Sequence, residues 1–183
     1  MPKYFSGKGD EGETSLRGDL RVLKDDIRIE VIGDVDEANS AIGFARSLGL
    51  GSFLDSVFER VQRELFDLGA DLALVDRDKQ RLTDKNVEKL ELDINELAKS
   101  LPKISKFIVP SGTPSISSLH VARTIVRRAE RHTISMNRKF PMNYAIMYLN
   151  RLSSLLYVAT RFLAVKQEIV ERKWNSREQD RGL

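Results

Sequence analysis

Apolar residues recur at steps of three and four along five stretches of the chain, between Val31 and Leu163. This spacing places them on one face of an α-helix, so each stretch predicts a helix that buries one side. The predicted helices span residues 24–48, 53–75, 84–100, 114–138 and 142–168. No segment shows sustained alternation, although residues 106–109 suit a short extended piece. The pattern predicts an all-α protein, a five-helix up-and-down bundle with ferritin-like packing.

Residues that end or begin helices separate the five stretches: Gly49, Gly51, Pro102, Pro114 and Pro141. The chain has 183 residues and no internal repeat, so a single domain spanning 1–183 is predicted. Residues 1–23 form a polar, glycine-rich segment before the first helix. The mostly charged residues 169–183 are expected to fray.

Composition narrows the classes of function. The chain has no cysteine, which excludes disulfides, thiolate metal sites and cysteine nucleophiles. No apolar run approaches the roughly 20 residues of a membrane span, and the first residues lack the order of a signal peptide. A cytoplasmic protein without a membrane partner is therefore expected. The formal net charge of +3 is too small to indicate nucleic-acid binding.

The charge is unevenly distributed along the chain. Residues 10–37 contain ten acidic and four basic side chains, whereas residues 123–139 contain six basic and one acidic. The first and fourth helices are therefore predicted to be electrostatically complementary, within one chain or between chains.

The first helix has a second face of small residues, opposite its apolar stripe: Gly33, Asp36, Ser40, Gly43 and Ser47. Small side chains at this spacing let another helix approach closely, and two glycines inside a helix cost about 1 kcal/mol each relative to alanine. The face predicts an oligomer interface. The alternative is a solvent-exposed face that happens to be small.

Residues 7–12 spell Gly-x-Gly-x-x-Gly, but a dinucleotide fingerprint needs a surrounding βαβ unit that the pattern excludes. Closely spaced glycines can still direct backbone N–H groups at phosphate oxygens. Thr14 and Ser15 add hydroxyl donors, and Lys24 adds a positive charge. The segment is therefore a candidate phosphate-binding loop, with a flexible N-terminal arm as the alternative.

The fourth helix places Arg123, Arg127, Glu130 and Arg131 close together around its axis. Arginine forks suit carboxylates and phosphates, so polyphosphate binding is one hypothesis. A solvated basic face with ion pairs along the helix is the other. No aromatic residues accompany the basic ones, which argues against nucleic acid.

The only two histidines, His120 and His132, lie twelve residues apart and lack carboxylates at metal-ligand spacing. They are interpreted as surface or packing residues. No protein metal site, nucleophile elbow or Walker loop is predicted.

Several motifs, taken together and in this order, resemble the ATP:cob(I)alamin adenosyltransferases of the propanediol-utilisation type. They span residues 9–16, 33–43, 107–112, 127–131 and 148–153. The resemblance covers nearly the whole chain. It implies a homotrimeric five-helix bundle with active sites between subunits. It also implies transfer of the 5′-deoxyadenosyl group of ATP, accompanied by Mg²⁺, to the cobalt of cobalamin, with release of triphosphate.

The resemblance assigns ATP binding to residues from both ends of the chain: Ser6, Gly7, Lys8, Gly9, Thr14, Ser15, Lys24, Arg127, Arg128, Glu130, Arg131 and Asn150. Phe107, Arg127 and Glu130 are implied to be catalytic. Phe107 matches an aromatic residue that displaces the lower axial ligand of cobalamin. Asp36 and Arg123 match a pair that forms an intersubunit salt bridge.

This reaction agrees with the composition, because cob(I)alamin is itself a strong nucleophile and the protein needs none. The protein must align cobalt with the ribose C5′ and stabilise the departing triphosphate. A cobalamin reductase or a cobalamin-dependent mutase is a candidate partner. Two alternatives stay open: a paralogue that binds ATP or a corrinoid without transferase activity, and a basic helical adaptor for nucleic acid.

Overall fold

The protein is described here by a computed structural model, which covers residues 4–5, 7–17, 20–74 and 80–174. The helices are α1 (Ile27–Ser47), α2 (Ser52–Leu72), α3 (Asp84–Ala98), α4 (Pro114–Asn137) and α5 (Asn143–Lys166). The predicted all-α bundle is confirmed, and each predicted helix is present. The observed ends differ from the predicted ones by at most three residues: α2 begins one residue earlier, and other ends are shorter where capping and turns replace helical hydrogen bonds.

Consecutive helices run in alternating directions, as an up-and-down bundle requires. The pair α1 and α2 is antiparallel, because Asn39 contacts Gln62 while Arg46, further along α1, contacts Asp55. Helix α4 packs between α1 and α5, and α3 packs against α5. The apolar stripes predicted from the sequence meet in one continuous core.

A set of buried and half-buried polar side chains lies between α2, α3 and α5, and we call it the polar core network: Arg60, Glu64, Asn86, Asp93 and Tyr148. The Tyr148 hydroxyl, which is fully buried, donates to Glu64 over 2.7 Å. The other oxygen of Glu64 accepts from Arg60 at 2.6 Å and from Asn86 at 3.1 Å. The acids of this network are therefore paired.

The N-terminal segment contains two short strands that the sequence pattern did not predict. Strands β1 (Glu13–Ser15) and β2 (Arg21–Leu23) pair antiparallel, with Thr14 opposite Val22. Three residues are too few to display an alternating pattern. After β2, the side chain of Asp26 caps α1 by accepting from the Arg28 backbone N–H at 2.9 Å.

The predicted charge complementarity between the first and fourth helices is present within one chain. Arg128 of α4 donates to Asp34 of α1 over 2.9 Å and also contacts Glu37. His132 lies 2.6 Å from the other oxygen of Asp34, so it is a packing residue, as interpreted from the sequence. These contacts fix α4 along α1.

The small-residue face of α1 packs within the chain at one position and is exposed at others. A Cβ atom at Gly43 would lie 2.9 Å from Nε2 of Gln62, so this glycine allows α2 to pack closely within the same chain. A Cβ atom at Gly33 would meet no described atom within 4 Å. Asp36, Ser40 and Ser47 are exposed.

The chain after α5 departs from the expected frayed end. Residues 169–174, which we call the strap, run back along the loop that precedes α4, and Ile108 and Lys173 form an antiparallel bridge. This bridge agrees with the extended piece predicted at residues 106–109. Residues 175–183 lie outside the described residues. Within the described ranges, no helix is long and apolar enough to cross a membrane.

Candidate functional site

The N-terminal loop is a compact turn held against the start of α1. Gly7 and Gly12 adopt positive φ angles of 74° and 82°, which favour glycine. The Lys24 backbone N–H donates to the Gly12 carbonyl over 2.8 Å, and its ammonium would lie 3.2 Å from a Cβ atom at Gly9. The structure therefore brings Lys24 against the glycine-rich turn.

The other predicted residues of this loop lie nearby in sequence and on the hairpin. Thr14 and Ser15 are on β1, and the carbonyl of Lys8 accepts from Arg21 at 3.0 Å. Arg21 also pairs with Glu13 at 2.9 Å, which ties the turn to the hairpin. Ser6, also predicted to bind ATP, lies outside the described residues.

A second group of predicted residues lies on α4 and α5. The Glu130 carboxylate accepts from the side-chain N–H of Asn150 over 2.9 Å, and the side-chain oxygen Oδ1 of Asn150 accepts from Arg151 over 2.8 Å. Arg127 and Arg131 are exposed on α4, where Arg131 donates to the Arg127 carbonyl. The two guanidinium groups thus lie on an accessible face beside an ordered carboxylate and amide.

Arg128 differs from its neighbours in this group. The hydrogen bond to Asp34 is the main cause that raises the pKa of Arg128 above its ordinary value, and burial opposes it with a smaller effect. With both Asp34 and Glu37 on its guanidinium, Arg128 serves the contact between α1 and α4. These contacts give Arg128 a structural role within the chain, and its binding to ATP stays a prediction.

A cavity of about 600 Å³ lies between the loop before α4 and the facing sides of α4 and α5. Its wall is mostly apolar with a few polar groups, and comprises Ile104, Ser105, Lys106, Phe107, Ile108, Pro110, His120, Arg123 and Tyr157. Phe107 is 79% exposed and lies on the wall of this cavity, so its ring is accessible to a molecule that enters it. Such a cavity is typical of a small-molecule site.

Two buried atoms of this wall lack partners. Nδ1 of His120 and Nε of Arg123 accept or donate no hydrogen bond among the residues that the structure describes. Burial, and next the charge of Arg123, lower the pKa of His120, so its imidazole is neutral near pH 7. An unpaired buried polar atom costs about 1–3 kcal/mol, so this wall is better satisfied when an incoming group pairs with it.

Arg123 is also a partly buried charge. Burial, and next the neighbouring charge of Arg127, lower the pKa of Arg123. A guanidinium stays protonated in proteins, so Arg123 remains a partly buried cation. Its predicted partner Asp36 is exposed on α1, which leaves both side chains available for contacts outside the chain.

The described contacts join the predicted site residues in separate groups. The loop contacts the turn before α1 and, through Arg17, the carbonyl of Ala73 after α2. Glu130 and Asn150 are joined to each other between α4 and α5, and Phe107 and Arg123 lie on the cavity. Sequence reasoning missed Tyr157 as a cavity residue and treated His120 as a surface or packing residue. The signal was there, since His120 falls on the apolar face of α4, three residues before Arg123.

Comparison with known proteins places this fold and these groups in one class. The profile of the cobalamin adenosyltransferases matches residues 4–163. The corrinoid adenosyltransferase of Bacillus subtilis is 39% identical over 173 residues, covering 91% of this chain and 89% of the relative. That of Mycobacterium leprae is 34% identical, covering 94% and 96%. The chain belongs to the cobalamin adenosyltransferase family.

Solved structures agree with this assignment. A variant PduO-type ATP:corrinoid adenosyltransferase from Lactobacillus reuteri, complexed with cobalamin and ATP, superposes with a TM-score of 0.90 at 32% identity. The match covers 95% of this chain and all of that chain. A second variant of that enzyme, complexed with ATP, gives a TM-score of 0.88 and covers 93% and 99%.

Proposed function

We propose that this protein transfers the 5′-deoxyadenosyl group of ATP to the cobalt of cob(I)alamin, giving adenosylcobalamin and triphosphate. The observation that carries the proposal is the match, over 95% of the chain, to an enzyme of this activity solved with both substrates. The site residues support it through their chemistry. They offer cations and an apolar cavity, and the cobalt supplies the nucleophile.

The triphosphate of ATP is assigned to cations at two places, the N-terminal loop with Lys24 and the exposed face of α4. Lys24 and the glycine-rich turn supply a charge and backbone donors, and Arg127 and Arg131 supply guanidinium forks. When cobalt attacks C5′, the C5′–O bond breaks and its electron pair leaves on the triphosphate. Cations fixed beside the leaving group stabilise this charge in the transition state. Glu130, ordered by Asn150, is assigned to orient the nucleotide.

The corrinoid is assigned to the cavity beside Phe107. Its apolar wall suits the flat corrin ring, and an exposed aromatic ring at the rim can exclude the lower axial ligand of cobalt. Losing that ligand makes the cobalt centre easier to reduce. His120 and Arg123 offer polar atoms that can meet the amide groups at the edge of the corrinoid.

A homotrimer with active sites between subunits explains why one chain holds the predicted residues in separate groups. In this proposal Arg127, Glu130, Arg131 and Asn150 meet the N-terminal loop of a neighbouring subunit. The partly buried cation Arg123 then finds an anion in Asp36 of that subunit. Phe44, which is 61% exposed on α1, is an apolar side chain that such an interface would cover.

Mg²⁺ is assigned to the phosphates of ATP, since it usually binds proteins through substrate phosphates and retained waters. A cytoplasmic location is retained as part of the proposal. A cobalamin reductase that supplies the cob(I)alamin, or a mutase that consumes the product, is the class of partner that suits this reaction.

The test is an anaerobic assay in which the full-length protein receives cob(I)alamin and MgATP. The absorbance change of adenosylcobalamin formation is expected, dependent on both substrates. ATP binding without turnover would instead select the non-catalytic paralogue. A steep salt dependence of DNA or RNA binding without ATP binding would select the nucleic-acid adaptor.

A further inference from the structure

The loop before α4, residues 102–113, carries part of the cavity wall, and we call it the cavity loop. The strap is joined to this loop by backbone hydrogen bonds on both sides of Ile108. The Val109 N–H donates to the Arg172 carbonyl over 2.8 Å, and the Trp174 N–H donates to the Phe107 carbonyl over 2.8 Å. Phe107, the aromatic residue of the cavity rim, therefore has its own backbone carbonyl engaged by the strap. Movement of the strap would release that carbonyl.

One buried arginine holds both segments at once. Nη2 of Arg161, near the end of α5, donates to the Pro102 carbonyl over 2.9 Å. Its Nε donates to the Glu171 carboxylate over 3.1 Å. The Arg161 side chain is only 9% exposed, and that of Glu171 is 20% exposed. Pro102 begins the cavity loop and Glu171 lies in the strap, so a single guanidinium fixes the loop and the strap to α5.

The electrostatics place this contact next to the cavity wall. The charges of Arg161 and Glu171 both influence the pKa of Tyr157, which burial raises above its ordinary value. The charge of Glu171 also acts on His120. Both Tyr157 and His120 line the cavity. Arg161 also follows Tyr157 by one helical turn on α5, so the contact adjoins the cavity wall.

We propose that the Arg161–Glu171 pair is a clamp that docks the strap on the cavity loop and thereby positions Phe107 at the corrinoid site. The inference rests on the proposed function for the identity of the ligand. The clamp itself rests on contacts within the chain. Arg161 and Glu171 are positioning residues, since they act through the loop and the strap and line no part of the cavity themselves.

The first test is spectroscopic and independent of activity, because Trp174 is the only tryptophan of the chain. Lysine at position 161 keeps the charge but cannot hold Pro102 and Glu171 with one fork. In Arg161→Lys we expect stronger acrylamide quenching of Trp174 fluorescence and a red-shifted emission, as the strap leaves the loop. Glu171→Gln keeps an acceptor without the charge, so a smaller change in the same direction is expected.

The second test separates the two substrates. A loop that no longer holds Phe107 in place should raise KM for cob(I)alamin about tenfold in Arg161→Lys, the equivalent of one charge-assisted hydrogen bond. KM for ATP should stay within about twofold, since the ATP groups lie elsewhere. Glu171→Gln should lie between the wild type and Arg161→Lys.

The matched control is Arg46→Lys. The guanidinium of Arg46 on α1 also donates to two partners, but both of them, Asp55 and Gln62, lie on α2. This variant should leave the Trp174 emission and KM for cob(I)alamin unchanged. Thermal melts of all variants show whether each is folded at the assay temperature.

Two results would overturn the clamp. One is unchanged Trp174 quenching in Arg161→Lys; the other is an equal rise of both KM values, which indicates general destabilisation. A wild-type protein that forms no adenosylcobalamin would contradict the proposed function instead. The fluorescence comparison would still decide whether the clamp docks the strap.

Discussion

The polar core network and the cavity wall both place polar side chains in the interior, but they differ in whether the buried polar atoms have hydrogen-bond partners. In the network, Tyr148 and Glu64 are buried and hydrogen-bonded to each other, and Glu64 has two further partners. In the wall, His120 and Arg123 are buried at atoms without partners in the described part of the chain. Buried polar groups with hydrogen-bond partners hold helices together, whereas buried polar groups without partners at a cavity are candidates for contact with a ligand.

The comparison teaches where to expect stability and where to expect function. Breaking a saturated network leaves a buried group unpaired, and the folded state loses free energy. Changing a group that faces a ligand alters binding or catalysis and costs little stability in the free protein. The predictions below test this division, from the largest effect to the smallest.

Arg127→Ala should lower the rate of adenosyl transfer about a thousandfold, as expected for the loss of a cation at a leaving group. Arg127 is exposed, so the melting temperature should hardly change. The anaerobic absorbance assay measures the rate. Arg138→Ala, at an exposed arginine after the end of α4, is the matched control and should keep wild-type activity. Full activity in Arg127→Ala would remove this residue from the site.

Tyr148→Phe should lower the free energy of unfolding by about 2 kcal/mol, because Glu64 loses a buried donor. The rate per folded molecule should stay near that of the wild type, since Tyr148 contacts Glu64 of α2, whereas the predicted site residue Asn150 contacts Glu130 of α4. Denaturant unfolding followed by circular dichroism gives the free energy. An inactive but equally stable variant would reverse the roles assigned to the two regions.

Exchanging the charges at Asp36 and Arg123 tests whether the wall is completed by another subunit. Asp36→Arg or Arg123→Asp alone should weaken assembly about tenfold, and the double exchange should partly restore it. Light scattering against protein concentration reports the assembly, with a wild-type mass near three times 20.8 kDa. A wild-type mass of one protomer would contradict both the trimer and the intersubunit site.

The cap of α1 supplies the smallest effect and a pH dependence. Hydrogen bonding to Arg28 lowers the pKa of Asp26 from 3.8 to about 2. Since the folded-state pKa is depressed, the stabilisation is full above about pH 4 and is lost as pH falls towards 2. Asp26→Asn keeps a capping oxygen but loses the charge, so it should cost about 1 kcal/mol at pH 7 after screening is considered.

The difference between Asp26→Asn and the wild type should close as the pH approaches 2, measured by denaturant unfolding at each pH. Asp25→Asn, at the exposed neighbouring residue, serves as the control and should be nearly neutral. A cost that is constant between pH 7 and pH 2 would show that the ion pair is not its origin.

The five helices could be predicted because each carries a long periodic stripe, and nearly all stripe residues from Val31 to Leu163 are buried. The residues of the candidate site were assigned through motifs at both ends of the chain. Their periodicity gave only part of that assignment, since Arg127 and Arg131 also suit a solvated face. The ion pairs of Arg128 with Asp34 and Glu37 could not be predicted residue by residue, because no local pattern records which side chains meet on another helix.

The strap and the hairpin escaped prediction for a different physical reason. Both are held by backbone hydrogen bonds over very short segments, such as those of Val109 and Trp174, which leave no alternating side-chain pattern. A weak signal existed at Arg161, a charged residue on the largely apolar final helix. Its partners Pro102 and Glu171 come from distant or irregular segments, so only the fold reveals the clamp.

The central claim is that the cavity and the cationic groups together serve adenosyl transfer to cobalt. The anaerobic assay of the full-length wild-type protein with cob(I)alamin and MgATP tests it most directly. We expect an absorbance change to adenosylcobalamin that requires both substrates and is accompanied by one triphosphate for each product formed. Bound ATP and bound corrinoid with no such change would contradict it.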